Sequence, residues 1–523
     1  MTPSLAPNPK ADPASPAPDQ QSSAYRWLLP LLGVLSLLAA CVLWSLKKQM
    51  IEDEVYTRTE LSDPSLTHLM HAVVHLGGAG MPLFYLTAWP WAHLVGVGDL
   101  SLRLFSSIGM CAAFLLLIVA LRHRFSARSA FLGVAFGMFC CLIVMDQNVE
   151  ARAYGLYLLL FALGIAQWLR IAEAPRPGIR DLALLALSQA GIVLGHVLGI
   201  FYAGLMLLAL VVVDLRARHL RWRVYTVFIA GWLALLPWIP AIRSSMAIAK
   251  PHGWITAPSL AGVAIGLSYW LFAALYHPLL QAHSAWMILG WACAIFCVVG
   301  LVLGGIRALR LGDPAQRPAH VLGFALIAAP LLFAMVSYLA SPIWVARYMI
   351  PSTLGIAILS VGWVESNPRI RGPLAGTLAV ALLAMPVASA LAARPDRIDI
   401  ARIDRISNGQ ILVCDWLDDF MILTRYSVHR EALRYPLDWQ AALSGPPIAV
   451  GHYHYMQNYR REGYLAGNLE DASRLLDLPS FLVLDDTNTN WFQLEIAANP
   501  HFTWKVVAQI DPERRVIQVD RRP

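Results

Sequence analysis

Charge is scarce in this chain: Asp, Glu, Lys and Arg make up 14% of its 523 residues, against a hydrophobic share of 58% and a mean hydropathy of +0.56. So little charge excludes an ordinary soluble domain and leaves a polytopic membrane protein. Cysteine is sparse as well. The seven, Cys41, Cys111, Cys140, Cys141, Cys293, Cys297 and Cys414, lie mostly inside apolar runs without ligand-like or framework spacing, so no disulfide scaffold follows and they read as small hydrophobes. No Walker loop, nucleophile elbow, HExxH or CxxC array occurs, which removes the chemistries those motifs carry. The formal net charge is +7 and the pI about 9.1, but the Arg residues cluster in short loops between apolar stretches. There they set topology, and nucleic acid is not an expected partner.

What the chain does have is long hydrophobic runs. Apolar stretches fall near 27–46, 101–121, 129–145, 153–170, 181–196, 198–213, 225–242, 286–305, 320–339, 348–364 and 373–392, about eleven crossings of a bilayer core. Arg122, Arg124 and Arg128; Arg170, Arg176 and Arg180; Arg216, Arg218, Arg221 and Arg223; Arg307, Arg310 and Arg317; and Arg369 and Arg371 occupy alternate gaps. The positive-inside rule makes those loops cytoplasmic, with the N-terminus on the same side. Leu38-Ala39-Ala40-Cys41 is like a lipoprotein cleavage box, yet the apolar run continues through Val42, Leu43 and Trp44, so an uncleaved first helix is expected.

Three regions lie outside this pattern. Residues 1–24, rich in Pro, Ala, Ser and Gln, predict a disordered cytoplasmic tail. Residues 47–100 form a first external loop in which 83–95, with Pro82 and Pro90, is too short and broken to cross and is expected as an interfacial helix; residues 258–283 are expected as amphipathic helices on the outer surface. The chain from 25 to 392 is then the membrane domain. Residues 393–523 read as an extracytoplasmic α/β domain, with strands at 411–414, 447–450, 481–485, 504–510 and 516–519 and helical stretches at 415–427 and 467–477.

On this topology the outer face collects polar residues at the rim of apolar helices, where charges must pair, snorkel or serve a ligand. The acidic triplet Glu52, Asp53 and Glu54 opens the first loop; Glu150 and Arg152 lie between the third and fourth spans, and Lys250, Arg347 and Tyr348 in later loops. A carboxylate cluster at the mouth of a membrane bundle can act as a general base or hold a metal beside the lipid surface. Acids at a helix N-terminus are also favoured by the dipole alone, and Arg at a helix end also anchors.

The order Asp53-Glu54-Val55-Tyr56-Thr57, Met81-Pro82-Leu83-Phe84-Tyr85-Leu86, Ser101-Leu102-Arg103-Leu104, Glu150-Ala151-Arg152-Ala153-Tyr154, Gly195-His196, Leu236-Pro237-Trp238-Ile239-Pro240 and Ala346-Arg347-Tyr348 resembles the GT-C membrane glycosyltransferases, in particular the protein mannosyltransferase and lipid A aminoarabinose transferase group. The resemblance runs from about residue 27 to 365. It implies a GT-C-like helical membrane fold and transfer of a sugar from a polyprenyl-phosphate donor to a lipid, glycan or protein acceptor on the outer side of an inner membrane. It further implies that an acid of the first external loop is the catalytic base, here Asp53 with Glu54 beside it. Basic side chains would hold the donor phosphate: Arg347 with Tyr348, then Arg152 with Glu150, Lys250 and Arg103. Family members often carry an Asp-x-His-Pro-Pro-Leu-Tyr-like segment after the first acid; here the stretch is Gly77-Gly78-Ala79-Gly80-Met81-Pro82-Leu83-Phe84. Without its acid and His, a metal site built from two acidic loops loses one side, and His75 is the substitute candidate. A divalent metal stays open as a cofactor. The rival reading is a transporter or flippase of lipid-linked sugars, against which stands the lack of an internal repeat or of paired acids in matching spans.

Overall fold

In the computed structural model the described residues are 23–76, 81–252, 255–263, 267, 284–445, 447–486 and 491–522. The N-terminal tail up to residue 22, the glycine run at 77–80 and most of the expected surface helices at 258–283 lie outside them.

The chain begins with α1 (Ser23–Ser45), then three short helices, α2 (Glu52–Leu61), α3 (Leu66–His75) and α4 (Pro82–Val95). The local signals for these three are plain. Acidic residues fill the first turn of α2, where they complement the helix dipole. Ser65 caps α3 by accepting from the His68 backbone N–H at 3.2 Å, and Pro82 opens α4 at a position that needs no N–H donor. As expected, 83–95 forms one short helix that ends well below a spanning length.

The long apolar runs become α5 (Asp99–Leu121), α6 (Ala127–Phe139), α7 (Leu142–Asn148), α8 (Tyr154–Glu173), α9 (Ile179–Gly195), α10 (Gly199–Arg216), α11 (Trp222–Trp232), α12 (Ile239–His252), α13 (Ser284–Leu311), α14 (Arg317–Ile327), α15 (Ala329–Leu339), α16 (Ser352–Glu365) and α17 (Ala375–Ala392). Among the described residues seven helices are long and apolar enough to cross a membrane, or eight if α6 and α7, bent by 77°, form one span. Small residues let the bundle close tightly. A Cβ on Gly155 of α8 would sit 1.9 Å from the Ser106 carbonyl of α5, and one on Gly109 of α5 would sit 2.5 Å from Gly155, so these helices meet backbone to backbone.

The two ends of the bundle differ in chemistry. At one end the basic loops touch one another: Arg124 donates to the Leu169 carbonyl and pairs with Glu173, Arg221 donates to the Ile171 and Ala174 carbonyls, Gln316 donates to the Arg124 carbonyl, and Glu365 accepts from Ser126 and Arg371. The alternate gaps singled out by their arginines thus share one end. At the other end lie α2 to α4, the 149–153 loop, Arg347 and the C-terminal domain.

That domain carries α18 (Ile400–Ser407), α19 (Leu417–Tyr426), α20 (Pro447–Arg461) and a six-stranded sheet in the order β3-β2-β1-β4-β6-β5. Strands β1 (Leu412–Val413), β2 (Leu433–Leu437), β3 (Leu469–Asp471) and β4 (Ser480–Asp486) are parallel, and β5 (Phe502–Gln509) and β6 (Arg514–Arg521) complete the sheet antiparallel. The α/β character and the strands at 411–414, 481–485, 504–510 and 516–519 are observed. The stretch 447–450 is instead the first turn of α20, a correction: a run of four apolar residues fits either element, and here it belongs to a fifteen-residue helix.

Candidate active site

Asp53 and Glu54 are neighbours on α2, about 100° apart around its axis, and so point into different surroundings. Glu54 turns into the protein. Its side chain is completely buried, and its carboxylate accepts two hydrogen bonds from Arg103, Nε to Oε1 at 2.7 Å and Nη2 to Oε2 at 2.8 Å. The same carboxylate accepts from the backbone N–H groups of Ile51 and Ala151, at 3.1 and 2.8 Å. The remaining Arg103 donors go to the Lys48 and Gln49 carbonyls. This corrects two expectations. Arg103, also fully buried, has no face for a donor phosphate, and Glu54 has no free oxygen for catalysis.

Asp53 turns the other way and keeps 27% of its side chain open. Two guanidiniums hold its carboxylate: Arg152 Nη1 stands 3.3 Å from Oδ1 and Arg347 Nη1 3.0 Å from Oδ2. Arg152 also donates to the Asp53 backbone carbonyl at 2.8 Å and reaches Thr57 Oγ1, one turn on, at 3.5 Å. Burial alone raises the pKa of the Asp53 carboxyl; the two cations outweigh it and hold it below the usual carboxylate range. Both arginines remain about a quarter exposed.

Aromatic rings build the wall beside this cluster. Arg347 lies 5.9 Å from the centroid of the Tyr348 ring, and Tyr348 faces His196 at 5.2 Å. His196 also packs against Tyr154 and Tyr157, with centroids at 6.1 and 5.2 Å. The result is a partly exposed cluster of one carboxylate and two guanidiniums beside several aromatic faces.

Of the residues singled out in the sequence, the structure therefore joins Asp53, Arg152, Arg347 and Tyr348. It separates others. Glu150 does not pair with Arg152: its Oε1 takes Lys48 at 3.1 Å and its Oε2 accepts from Gln147 at 2.8 Å. His75 points toward the C-terminal domain rather than to Asp53. The side chain of Lys250, at the end of α12, lies outside the described residues. Lys48 and Thr57 were not foreseen, and only their closeness in sequence to the acidic triplet could have flagged them.

No family model and no curated protein matches the chain in sequence. Its structure does have solved counterparts. Two crystal structures of ArnT from Cupriavidus metallidurans, one in the apo state and one bound to undecaprenyl phosphate, superpose with TM-scores of 0.58 and 0.60 at 14% and 13% identity. Each alignment covers 95% of this chain and 98% of the ArnT chain. The chain has the ArnT fold. The GT-C-like architecture implied by the order of the motifs is therefore the one observed, a multi-pass helical bundle followed by a mixed-sheet domain.

Within this ArnT fold a divalent metal does not fit at Asp53. Both carboxylate oxygens already face guanidinium groups, the adjacent carboxylate of Glu54 is consumed by Arg103, and two nearby cations repel a third. The chemistry available there is that of an ionised carboxylate and two anion-binding arginines.

Proposed function

We propose that this protein is a glycosyltransferase of the inner membrane that moves a sugar from a polyprenyl-phosphate donor to an envelope acceptor by a single inverting displacement. The observation that carries the reading is the Asp53 carboxylate suspended between Arg152 and Arg347. With the basic end of the bundle in the cytoplasm, this cluster and the C-terminal domain fall on the outer side, next to the surface where a lipid-linked donor lies.

In the reaction the acceptor hydroxyl attacks the anomeric carbon while Asp53 takes its proton. The new glycosidic bond forms as the bond from carbon to phosphate oxygen breaks, and the bonding pair leaves with the polyprenyl phosphate. A positioned base of this kind contributes roughly 10²- to 10⁴-fold. Arg347 and Arg152 offer planar, bidentate donors to the phosphate. They have a second effect. When the donor phosphate draws the guanidiniums toward itself, Asp53 loses the cations that depress its basicity, so donor binding strengthens the base at the moment it is needed. The undecaprenyl phosphate named in one of the ArnT structures is a ligand of the class this arrangement would hold.

The test is sugar transfer by purified protein from a panel of radiolabelled polyprenyl-phosphate sugars to an envelope extract, for wild type and Asp53→Asn. Label moved by wild type and lost in the variant, at equal thermal stability, supports the reading. Equal transfer by both proteins removes Asp53 as base, and no transfer from any donor redirects the work to lipid translocation.

A further inference from the structure

Helix α3 carries histidines at 68, 71 and 75, a spacing of three and then four residues that places all three on one face. That face looks at the C-terminal domain, where Glu462 follows the last residue of α20. One ligand atom each from His71, His75 and Glu462 lies within 4.8 Å of the other two. His71 Nδ1 is 3.2 Å from Glu462 Oε2, and the imidazoles of His71 and His75 stand 4.2 Å apart by centroid.

The surroundings orient these rings as ligands. His75 Nδ1 lies 2.8 Å from the His71 backbone carbonyl; donation to that carbonyl puts the proton on Nδ1 and leaves Nε2 with a free lone pair. His68 is set in the same way by a carboxylate, its Nδ1 hydrogen-bonded to Asp63 while its Nε2 stands 3.9 Å from Glu462 Oε2. Asp63 is itself fixed by the Tyr464 hydroxyl at 2.6 Å and the Ser65 N–H at 2.9 Å. A carbonyl behind the imidazole, as at His75, is a usual support of a metal-bound histidine, while His71 turns its Nδ1 to the Glu462 carboxylate itself. Two imidazoles this close, with a carboxylate 86% shielded from solvent, form a donor set that a cation would hold together and that protonated imidazoles would push apart.

We infer that His71, His75 and Glu462 form a site for one divalent transition-metal ion of the zinc class, with water as the fourth ligand. Nitrogen and carboxylate donors in a tetrahedral set suit zinc, whose bonds to them are about 2.0–2.2 Å, so the side chains need only small movements to close on an ion. The ion would clasp α3 to the C-terminal domain, and it stands apart from the Asp53 cluster in residues and role. It is independent of the proposed transfer reaction.

The experiment uses full-length protein purified through a tag without histidine. Elemental analysis should give about one zinc per chain, and cobalt exchanged into the chelator-stripped protein should give the visible absorption of a tetrahedral site. Both signals should fall at least tenfold in His71→Ala with His75→Ala and in the milder Glu462→Gln, each checked for a monodisperse elution profile. Zinc should also raise the melting temperature of stripped wild type and leave that of the double variant unchanged. Substoichiometric zinc, or cobalt spectra and melting shifts equal in wild type and Glu462→Gln, would overturn the assignment.

Discussion

Glu54 and Arg103 form a fully buried, two-bond ion pair one residue along from the carboxylate that faces the candidate site. The pair does more than neutralise itself. By accepting from Ala151 N–H, Glu54 fixes the backbone immediately before Arg152, and so sets the guanidinium that meets Asp53. Removing one partner of a buried pair leaves the other charge uncompensated, at a cost of about 3–5 kcal/mol. Glu54→Gln and Arg103→Met should therefore lower the melting temperature sharply and lose yield. Asp53→Asn should melt within a few degrees of wild type while transfer falls by roughly 10²-fold or more. Thermal melts and single-turnover transfer on the same preparations separate the two roles; similar melting losses in all three would mean that Asp53 is structural too.

Arg347 is a more exposed partner and leaves a different signature. On the proposed mechanism Asp53 works as base only when ionised, and Arg152 and Arg347 hold its carboxyl below the usual range. Activity is then present above that depressed value and is lost as pH falls through it. Taking away Arg347 lets the carboxyl rise, so the acid limb of kcat/KM should move to higher pH in Arg347→Met. KM for the donor should rise as well, because the proposed phosphate contact would be lost. Arg347→Lys keeps the charge and should leave the acid limb near wild type while still weakening the donor, since an ammonium lacks the planar fork. An unshifted limb in Arg347→Met would remove the electrostatic link between the two residues.

How much of this could be seen in the sequence depends on the kind of signal. Apolar runs and the arginines between them announced the bundle and which loops share an end, because those features are local and additive. The pairing of Asp53 with Arg347 joins residues far apart in the chain, and only the resemblance to a known family brought them together. The sequence could not say which charges are already spent. Glu54 and Arg103 looked as available as Asp53 and Arg152, and only their burial shows that they satisfy each other. In the C-terminal domain β2 went unseen because Pro436, which lacks the N–H a strand normally donates, argues against a central strand; in the structure it is aligned with Glu470 of β3. The histidines of α3 did carry a signal in their spacing, but their acidic partner comes from another domain.

Glu52, first of the acidic triplet, reaches the C-terminal domain. Burial, reinforced by a hydrogen bond to Asp418 and by the negative charges of Asp418 and Asp53, pushes its carboxyl from 4.5 up to about 9. It therefore binds a proton in the folded protein that it would release in the unfolded chain at neutral pH. The sign follows from linkage: a raised pKa contributes stability that is complete below pH 4.5 and is lost progressively as pH rises toward about 9. Glu52→Gln, which keeps a hydrogen-bonding group without the titration, should flatten the fall in melting temperature over that window. Parallel curves for wild type and variant would place the pH response elsewhere.

Glu60 offers the last prediction, because it shows that the C-terminal domain is part of the fold of the first loop. Its buried carboxylate accepts from three tyrosines, Tyr85 of α4 at 2.6 Å and Tyr459 and Tyr455 of α20 at 2.7 and 3.2 Å. Around it, Val55, Tyr56, Leu61 and Leu69 of the loop share one apolar core with Phe420, Met456 and Tyr459 of the domain. Tyr459→Phe should cost about 1–3 kcal/mol, the penalty for leaving a buried polar atom short of a partner. Glu60→Gln should cost a similar amount, and the double variant should cost less than the sum, since the second change removes a contact already lost. Melting of the four proteins gives the coupling directly. Strict additivity would mean that Tyr459 and Glu60 act separately, and that the domain is held to α2 by the apolar core alone.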